Sequence, residues 1–215
     1  MNKLTYTLLT DGSSDRVLIH IINWLLNDLL PYLPVQGNYA DFSALKNPPP
    51  IGKLDQRIET AITLYPCDII FVHRDSETQA VEIRETEIRS FWEKTDHGLH
   101  LTMIPLIPVR MTEAWLLIDT NAIKIAAGNR NFREDLALPR FNRLEDEPDP
   151  KMYLFNLIRR ASDLRGRSLD KLRVHSTTHI VAETIRDYSP LRNLSAFQHF
   201  EGLVKQTLQD FEFET

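Results

Sequence analysis

Acidic side chains follow three apolar segments of this chain, each at the point where the segment ends. These acids are Asp11, Asp15, Asp75, Glu77 and Glu113. Carboxylate oxygens in small number, with water completing the shell, are the ligands that Mg²⁺ and Mn²⁺ prefer. Like charges held close together are tolerated only when protons are shared or a cation is bound. The sequence therefore predicts a Mg²⁺ or Mn²⁺ site wherever these five acids meet.

Three short strands must bring the acids together. The strand candidates are residues 4–10, which are rich in β-forming residues and end at the Asp11-Gly12 turn, and the buried-strand candidates 67–73 and 101–109. Helical periodicity separates them, and strands alternating with helices indicate βαβ units and a parallel sheet. Functional groups of such sheets collect at the carboxyl ends of the strands. We expect an α/β fold with about four parallel strands between helices over residues 1–128, and a helical C-terminal part over 129–215 packed on it.

Other segments carry weaker signals. Residues 35–45 form a doubtful short strand, and residues 110–119 have a helical pattern. In the C-terminal part, helical patterns recur at about residues 150–162, 175–188 and 190–211, with no convincing strand among them.

The composition indicates a soluble protein of a reducing compartment. Cys67 is the one cysteine, so a disulfide framework or a thiolate-rich zinc site is excluded. The N-terminus lacks the pattern of a secretory signal, and no apolar run approaches the roughly 20 residues of a membrane span. We expect a cytoplasmic protein with no membrane association, whose oligomeric state the sequence leaves open.

Positive charge is concentrated in one stretch of an acidic chain. The net charge is −5, yet residues 151–175 contain seven lysines and arginines against two aspartates. Arginine binds phosphate groups through paired hydrogen bonds, so such a stretch favours a nucleic-acid partner, and a solvated helical face is the alternative. The candidate phosphate-binding residues are Arg74, Arg110, Arg165, Arg167, Lys171 and Arg173.

Two acidic motifs and two longer stretches resemble a known superfamily. The run Asp11-Gly12-Ser13-Ser14-Asp15 between a strand and a helix, with Asp75-x-Glu77 after a buried strand, is similar to the first two motifs of Toprim domains. Most Toprim domains have Glu at the first position and Asp-x-Asp in the second motif. Residues 112–119 (TEAWLLID) and 189–200 resemble small stand-alone Toprim-like proteins of bacteria, which are related to the overcoming-lysogenization-defect nucleases.

The resemblance implies a metal-dependent site that makes or breaks phosphodiester bonds. Asp11 would be a general base or ligand, Asp75 and Glu77 the main ligands, and Asp15 and Glu113 supporting acids. A topoisomerase would need further domains and a primase a cysteine-rich zinc module, whereas a small nuclease needs neither. Toprim nucleases that travel with ATPases further imply a role in phage defence beside an ATPase partner.

Two other interpretations stay open at this point. Asp11 in place of Glu and Glu77 in place of Asp favour a non-catalytic Toprim-like subunit that binds a partner protein or regulates an ATPase. The fold alone also permits a small-molecule phosphotransfer or flavodoxin-like domain. His73 lies at a strand end within reach of the site, but we expect a structural role for it.

Overall fold

The protein is built on one four-stranded, all-parallel sheet. We describe it from a computed structural model, which defines residues 2–96 and 101–211. The strands are β1 (Leu4–Leu9), β2 (Val35–Tyr39), β3 (Ile69–His73) and β4 (Thr102–Leu106), in the order β2-β1-β3-β4. The predicted α/β architecture, a Toprim- or Rossmann-like parallel sheet of about four strands, is thereby confirmed.

Helices cover both faces of the sheet. In chain order they are α1 (Leu18–Leu29), α2 (Leu54–Leu64), α3 (Val81–Trp92), α4 (Thr120–Ala126), α5 (Pro150–Ser162), α6 (Arg167–Asp170), α7 (Val174–Thr184) and α8 (Ser195–Gln209). Short 3₁₀ turns lie at Ser13–Val17, Thr112–Leu116, Phe141–Arg143 and Ser189–Asn193.

Alternation along β3 divides the core into two layers. Ile69 and Phe71 join the cluster that contains α1 and the C-terminal helices α5, α7 and α8, whereas Ile70 and Val72 join the smaller cluster with α2 and α3. Successive side chains of a strand point to opposite faces, so a strand buried on both sides is apolar throughout. The helical C-terminal part is therefore packed on one face of the sheet, while its boundary at residue 128 stays a prediction.

Strand β4 forms one edge of the sheet, as its prolines indicate. Proline cannot donate a ladder hydrogen bond and is tolerated on an edge strand. Pro105 lies opposite Val72 in the β3–β4 register, and the strand ends one residue later at Leu106. Along the described ranges no strand follows β4.

The segment after β4 is less helical than its pattern predicts. Of residues 110–119, Thr112–Leu116 form a 3₁₀ turn, and α4 begins afresh where the Asp119 carboxylate accepts hydrogen bonds from the amides of Asn121 and Ala122. Aspartate at this position satisfies amides that the first helical turn leaves free, which fixes a helix start. The break places Thr112 and Glu113 at the end of the sheet instead of on a continuous helix.

Within the described part of the chain, none of the helices combines the length and apolar character needed to cross a bilayer.

Candidate metal centre

Three side chains meet at the carboxyl end of the sheet with the geometry of a metal site. Asp15 lies in the turn after β1, His73 is the last residue of β3, and Asp75 follows two residues later. One ligand atom from each falls within 4.8 Å of the other two. The distances from His73 Nε2 are 3.5 Å to Asp75 Oδ1 and 3.9 Å to Asp15 Oδ2. These three residues can hold a metal ion.

The orientation of His73 suits a metal ligand. Its Nδ1 lies 3.0 Å from the carbonyl oxygen of Leu106 in β4, inside the protein. A carbonyl oxygen only accepts hydrogen bonds, so Nδ1 carries a proton, and Nε2 is the ring nitrogen that faces the carboxylates and can bind a metal ion. Histidine ligands of metals usually donate their second N–H to a carbonyl or carboxylate in this way, which fixes the ring.

Thr112 holds the second carboxylate in place. Its backbone N–H donates to Asp75 Oδ1 at 3.0 Å, and its hydroxyl lies 3.3 Å from His73 Nε2. Burial raises the pKa of the Asp75 carboxyl to about 6, and the charges of Asp15 and Glu113 raise it too, against the opposing effects of His73 and the Thr112 amide. A bound cation would remove the cost of keeping this group ionised.

A buried carboxylate and a lysine complete the surroundings. Glu113 is 5% exposed, and its Oε1 lies 3.0 Å from Nζ of Lys151, which is in the first turn of α5. Burial alone would lower the pKa of Lys151, but Glu113, Asp15 and Asp75 outweigh it and raise the pKa. The C-terminal helical part therefore supplies a cation that faces the acidic site of the sheet.

The loops after β3 and β4 are joined by hydrogen bonds beside this site. Buried Ser76 accepts a hydrogen bond from the Arg110 amide through its hydroxyl at 2.9 Å, and the Glu77 amide donates to the Arg110 carbonyl at 3.1 Å. Glu77 and Arg110 both adopt left-handed backbone conformations, with φ of 55° and 62°. Such residues are strained and persist where surrounding contacts hold them, often at functional sites.

Three of the five acids predicted as ligands lie outside the group of three: Glu113, which borders it, and Asp11 and Glu77. The Asp11 carboxylate pairs with Arg74 at 3.0 Å, and Glu77 is 66% exposed with its carboxylate 3.5 Å from Arg84. Of the five predicted acids, the structure brings together Asp15 and Asp75, with Glu113 beside them. The roles assigned to Asp11 and Glu77 stay predictions.

The predicted phosphate-binding cations occupy different surroundings. Arg74 is bound to Asp11 and Glu87, whereas the buried Nε of Arg110 has no hydrogen-bond acceptor among the residues described. The remaining four cations are exposed and form no ion pair within the described ranges: Arg165, Arg167, Lys171 and Arg173.

Sequence reasoning missed the functional position of two residues. We expect a structural role for His73 from the sequence, yet its ring is the third member of the group that could hold a metal ion. A histidine that ends a buried strand two residues before an acid is the signal that could have identified it. Lys151 was one member of a long basic stretch, and nothing in the sequence separates it from the others, because its contact with Glu113 depends on tertiary packing.

The chain matches no family model, no curated protein and no solved structure in the comparisons made. The function must therefore be argued from the site itself.

The residues present fit a divalent ion. Two carboxylates and one neutral imidazole are three protein ligands, which leaves positions for water or substrate. Mg²⁺ favours an all-oxygen shell, whereas Mn²⁺ accepts both carboxylate and imidazole ligands.

Proposed function

We propose that this protein is a divalent-metal-dependent phosphodiesterase that cleaves DNA or RNA, with Mn²⁺ as its preferred ion and Mg²⁺ as the alternative. The observation that carries the proposal is the convergence of Asp15, His73 and Asp75 at the carboxyl end of a parallel sheet. Its resemblance to the first two Toprim motifs agrees with this chemistry. A role in phage defence beside an ATPase partner rests on that resemblance alone.

A bound divalent ion would supply an activated water nucleophile and neutralise charge that develops on the phosphate. The chain's own residues have separable tasks in this scheme. Asp15, Asp75 and Nε2 of His73 hold the ion, and the Thr112 amide keeps Asp75 in position. Lys151 is partly exposed beside the site, where its ammonium can neutralise a non-bridging phosphate oxygen.

A cleavage assay tests the proposal directly. The protein, stripped with EDTA, is incubated with plasmid, linear duplex, single-stranded DNA and RNA, in separate reactions containing Mn²⁺, Mg²⁺ or Zn²⁺. We expect cleavage that is fastest with Mn²⁺ and that falls at least 100-fold in Asp75→Ala and His73→Ala. Glu59→Gln, which removes an exposed acid of α2, is the control and should cleave like the wild type.

A non-catalytic role has one specific observation in its favour. The Toprim resemblance implies a catalytic role for Asp11, Asp75 and Glu77, and two of these acids, Asp11 and Glu77, are paired with Arg74 and Arg84. In that case the protein would bind a metal ion and a partner, such as an ATPase, without cutting nucleic acid. Calorimetry that detects Mn²⁺ binding in a preparation without nuclease activity on any of the four substrates would favour this alternative.

A further inference from the structure

Four cations between α5 and α7 form no ion pair with any residue that the structure describes. They are Arg165, Arg167, Lys171 and Arg173, and we call residues 165–173 the basic segment. Asp170 is its one acid, so the segment carries a charge of four minus one, or +3, in a chain of net charge −5. By contrast, the nearby cations Lys151 and Arg160 are paired with Glu113 and Glu134.

The helices on either side of the basic segment both lead to the metal centre. Helix α5 starts beside it, since Lys151 contacts Glu113. Helix α7 packs against the Ser13–Val17 turn, and the charge of Asp15 acts on His179 of α7. The rings of Phe155 and His175, 4.7 Å apart, join the two helices about one turn from Lys151.

Helix geometry gives the distance between the two sites. From Lys151 to the end of α5 at Ser162 is eleven residues, or about 17 Å at 1.5 Å per residue. From His179 back to Arg173 is six residues of α7, or about 9 Å. The basic segment is therefore separated by roughly 9 to 17 Å of helix from His179, on which the charge of Asp15 acts, and from Lys151, which contacts Glu113.

We infer that the basic segment binds the phosphate backbone of the polynucleotide whose scissile phosphate lies at the metal centre, about three to five nucleotides away. One strand of duplex advances about 3.4 Å per nucleotide along the helix axis, so 9 to 17 Å corresponds to that number. The inference rests on the proposed function for the position of the cleaved bond. It makes the substrate a polymer of at least about six nucleotides, not a nucleotide or dinucleotide.

Charge favours a polynucleotide over an acidic protein as the ligand. The phosphates of a polynucleotide can pair with the exposed cations of the basic segment at one end of the strand. At the other end, a bound metal ion and Lys151 can neutralise the negative charge of a phosphate. The carboxylates of an acidic protein surface would be repelled by Asp15, Asp75 and Glu113, because like charges face each other there.

The test uses two double variants of equal charge. Lys171→Gln with Arg173→Gln changes the basic segment, and Lys3→Gln with Lys94→Gln is the control, because both of those lysines are exposed at the opposite, amino end of the sheet. Fluorescence anisotropy of labelled DNA and RNA oligonucleotides of 2, 4, 8, 12 and 20 nucleotides, single- and double-stranded, is measured in EDTA over a range of salt concentrations. Cleavage of the same oligonucleotides is measured in Mn²⁺.

We expect affinity to rise with length up to about eight nucleotides and then level off. On the longer oligonucleotides the basic-segment variant should bind about tenfold more weakly at 0.1 M salt, with the slope of log K against log salt reduced by about two. Dinucleotides should not distinguish it from the control variant. Binding that is equal in both variants overturns the inference, even if cleavage by the wild type upholds the proposed function.

The two proposals fail separately. Length-dependent binding that the basic-segment variant loses, in a protein that cuts nothing in any metal, supports backbone binding by the basic segment and refutes the nuclease. A protein that neither binds nor cleaves any of the oligonucleotides refutes both proposals.

Discussion

Replacing Asp75 with asparagine should stabilise the metal-free protein while it abolishes metal binding. The substitution is nearly isosteric, and the new side-chain oxygen can still accept the hydrogen bond from the Thr112 amide. What it removes is a carboxylate whose ionised form is disfavoured by burial and by the neighbouring charges of Asp15 and Glu113. Residues that serve a binding site often lower the free energy of unfolding, because the site needs charges that folding disfavours.

The size of the effect follows from the pKa. Burial and neighbouring charge raise the Asp75 pKa from 3.8 to about 6. One pKa unit corresponds to 1.36 kcal/mol, so keeping this group ionised costs about 3 kcal/mol of folding free energy when the pH is well above 6. Because the pKa is higher in the folded state, the protonated folded form is favoured at low pH. The stability gained from the substitution therefore shrinks as the pH falls, to about half at pH 5 and little at pH 4.

Urea denaturation in EDTA at pH 8, 5 and 4 measures this difference between the wild type and Asp75→Asn. Adding Mn²⁺ should then raise the stability of the wild type by mass action and leave the variant unchanged. A variant that is less stable than the wild type at pH 8, or whose advantage does not depend on pH, would refute the assignment of Asp75 as a desolvated carboxylate beside other acids.

Three further substitutions test individual contacts. Glu77→Gly should stabilise the protein by up to about 1 kcal/mol by relieving the left-handed backbone, and should leave Mn²⁺ affinity unchanged in calorimetry; a tenfold loss of affinity would instead make Glu77 a ligand. Lys151→Gln should tighten Mn²⁺ binding several-fold, because a positive charge near the ion is removed. Urea denaturation in EDTA should show a loss of about 1–3 kcal/mol in the free energy of unfolding, because Glu113 is left buried and unpaired. Ser76→Ala leaves the Arg110 amide without its acceptor, so we expect a loss of about 1–2 kcal/mol in denaturation and weaker Mn²⁺ binding; unchanged values of both would show that the loop contact does not position Asp75.

The sheet and the location of the site were predictable from the sequence, because they depend on local patterns. Buried parallel strands are continuous apolar runs, and such runs identified β3 and β4, whereas β-forming residues before the Asp11-Gly12 turn identified β1. Because β1 and β3 are adjacent, with Leu9 opposite Val72, Asp15 and Asp75 both lie at the carboxyl end of the sheet. The fine geometry was not predictable in this way. Whether an acid at a strand end faces a metal site or an arginine is decided by side-chain partners far away in the chain.

Asp11 and His73 illustrate that limit. Both lie at strand ends, and residue type alone favours the carboxylate as the ligand. Arg74, the residue next to His73, engages Asp11, while the Leu106 carbonyl in the edge strand turns the imidazole toward the carboxylates. Neither contact has a signature in the spacing of the residues involved.

The hydrogen bond from His73 to Leu106 also links metal binding at the centre to the local opening of strand β4. When β4 frays from β3, the imidazole loses the acceptor that orients it, so an opened edge binds the ion poorly. By thermodynamic reciprocity, an ion bound to Nε2 must oppose that opening and slow amide hydrogen exchange along β4. Amide exchange along the edge strand β4 is therefore a reporter of whether the centre is occupied.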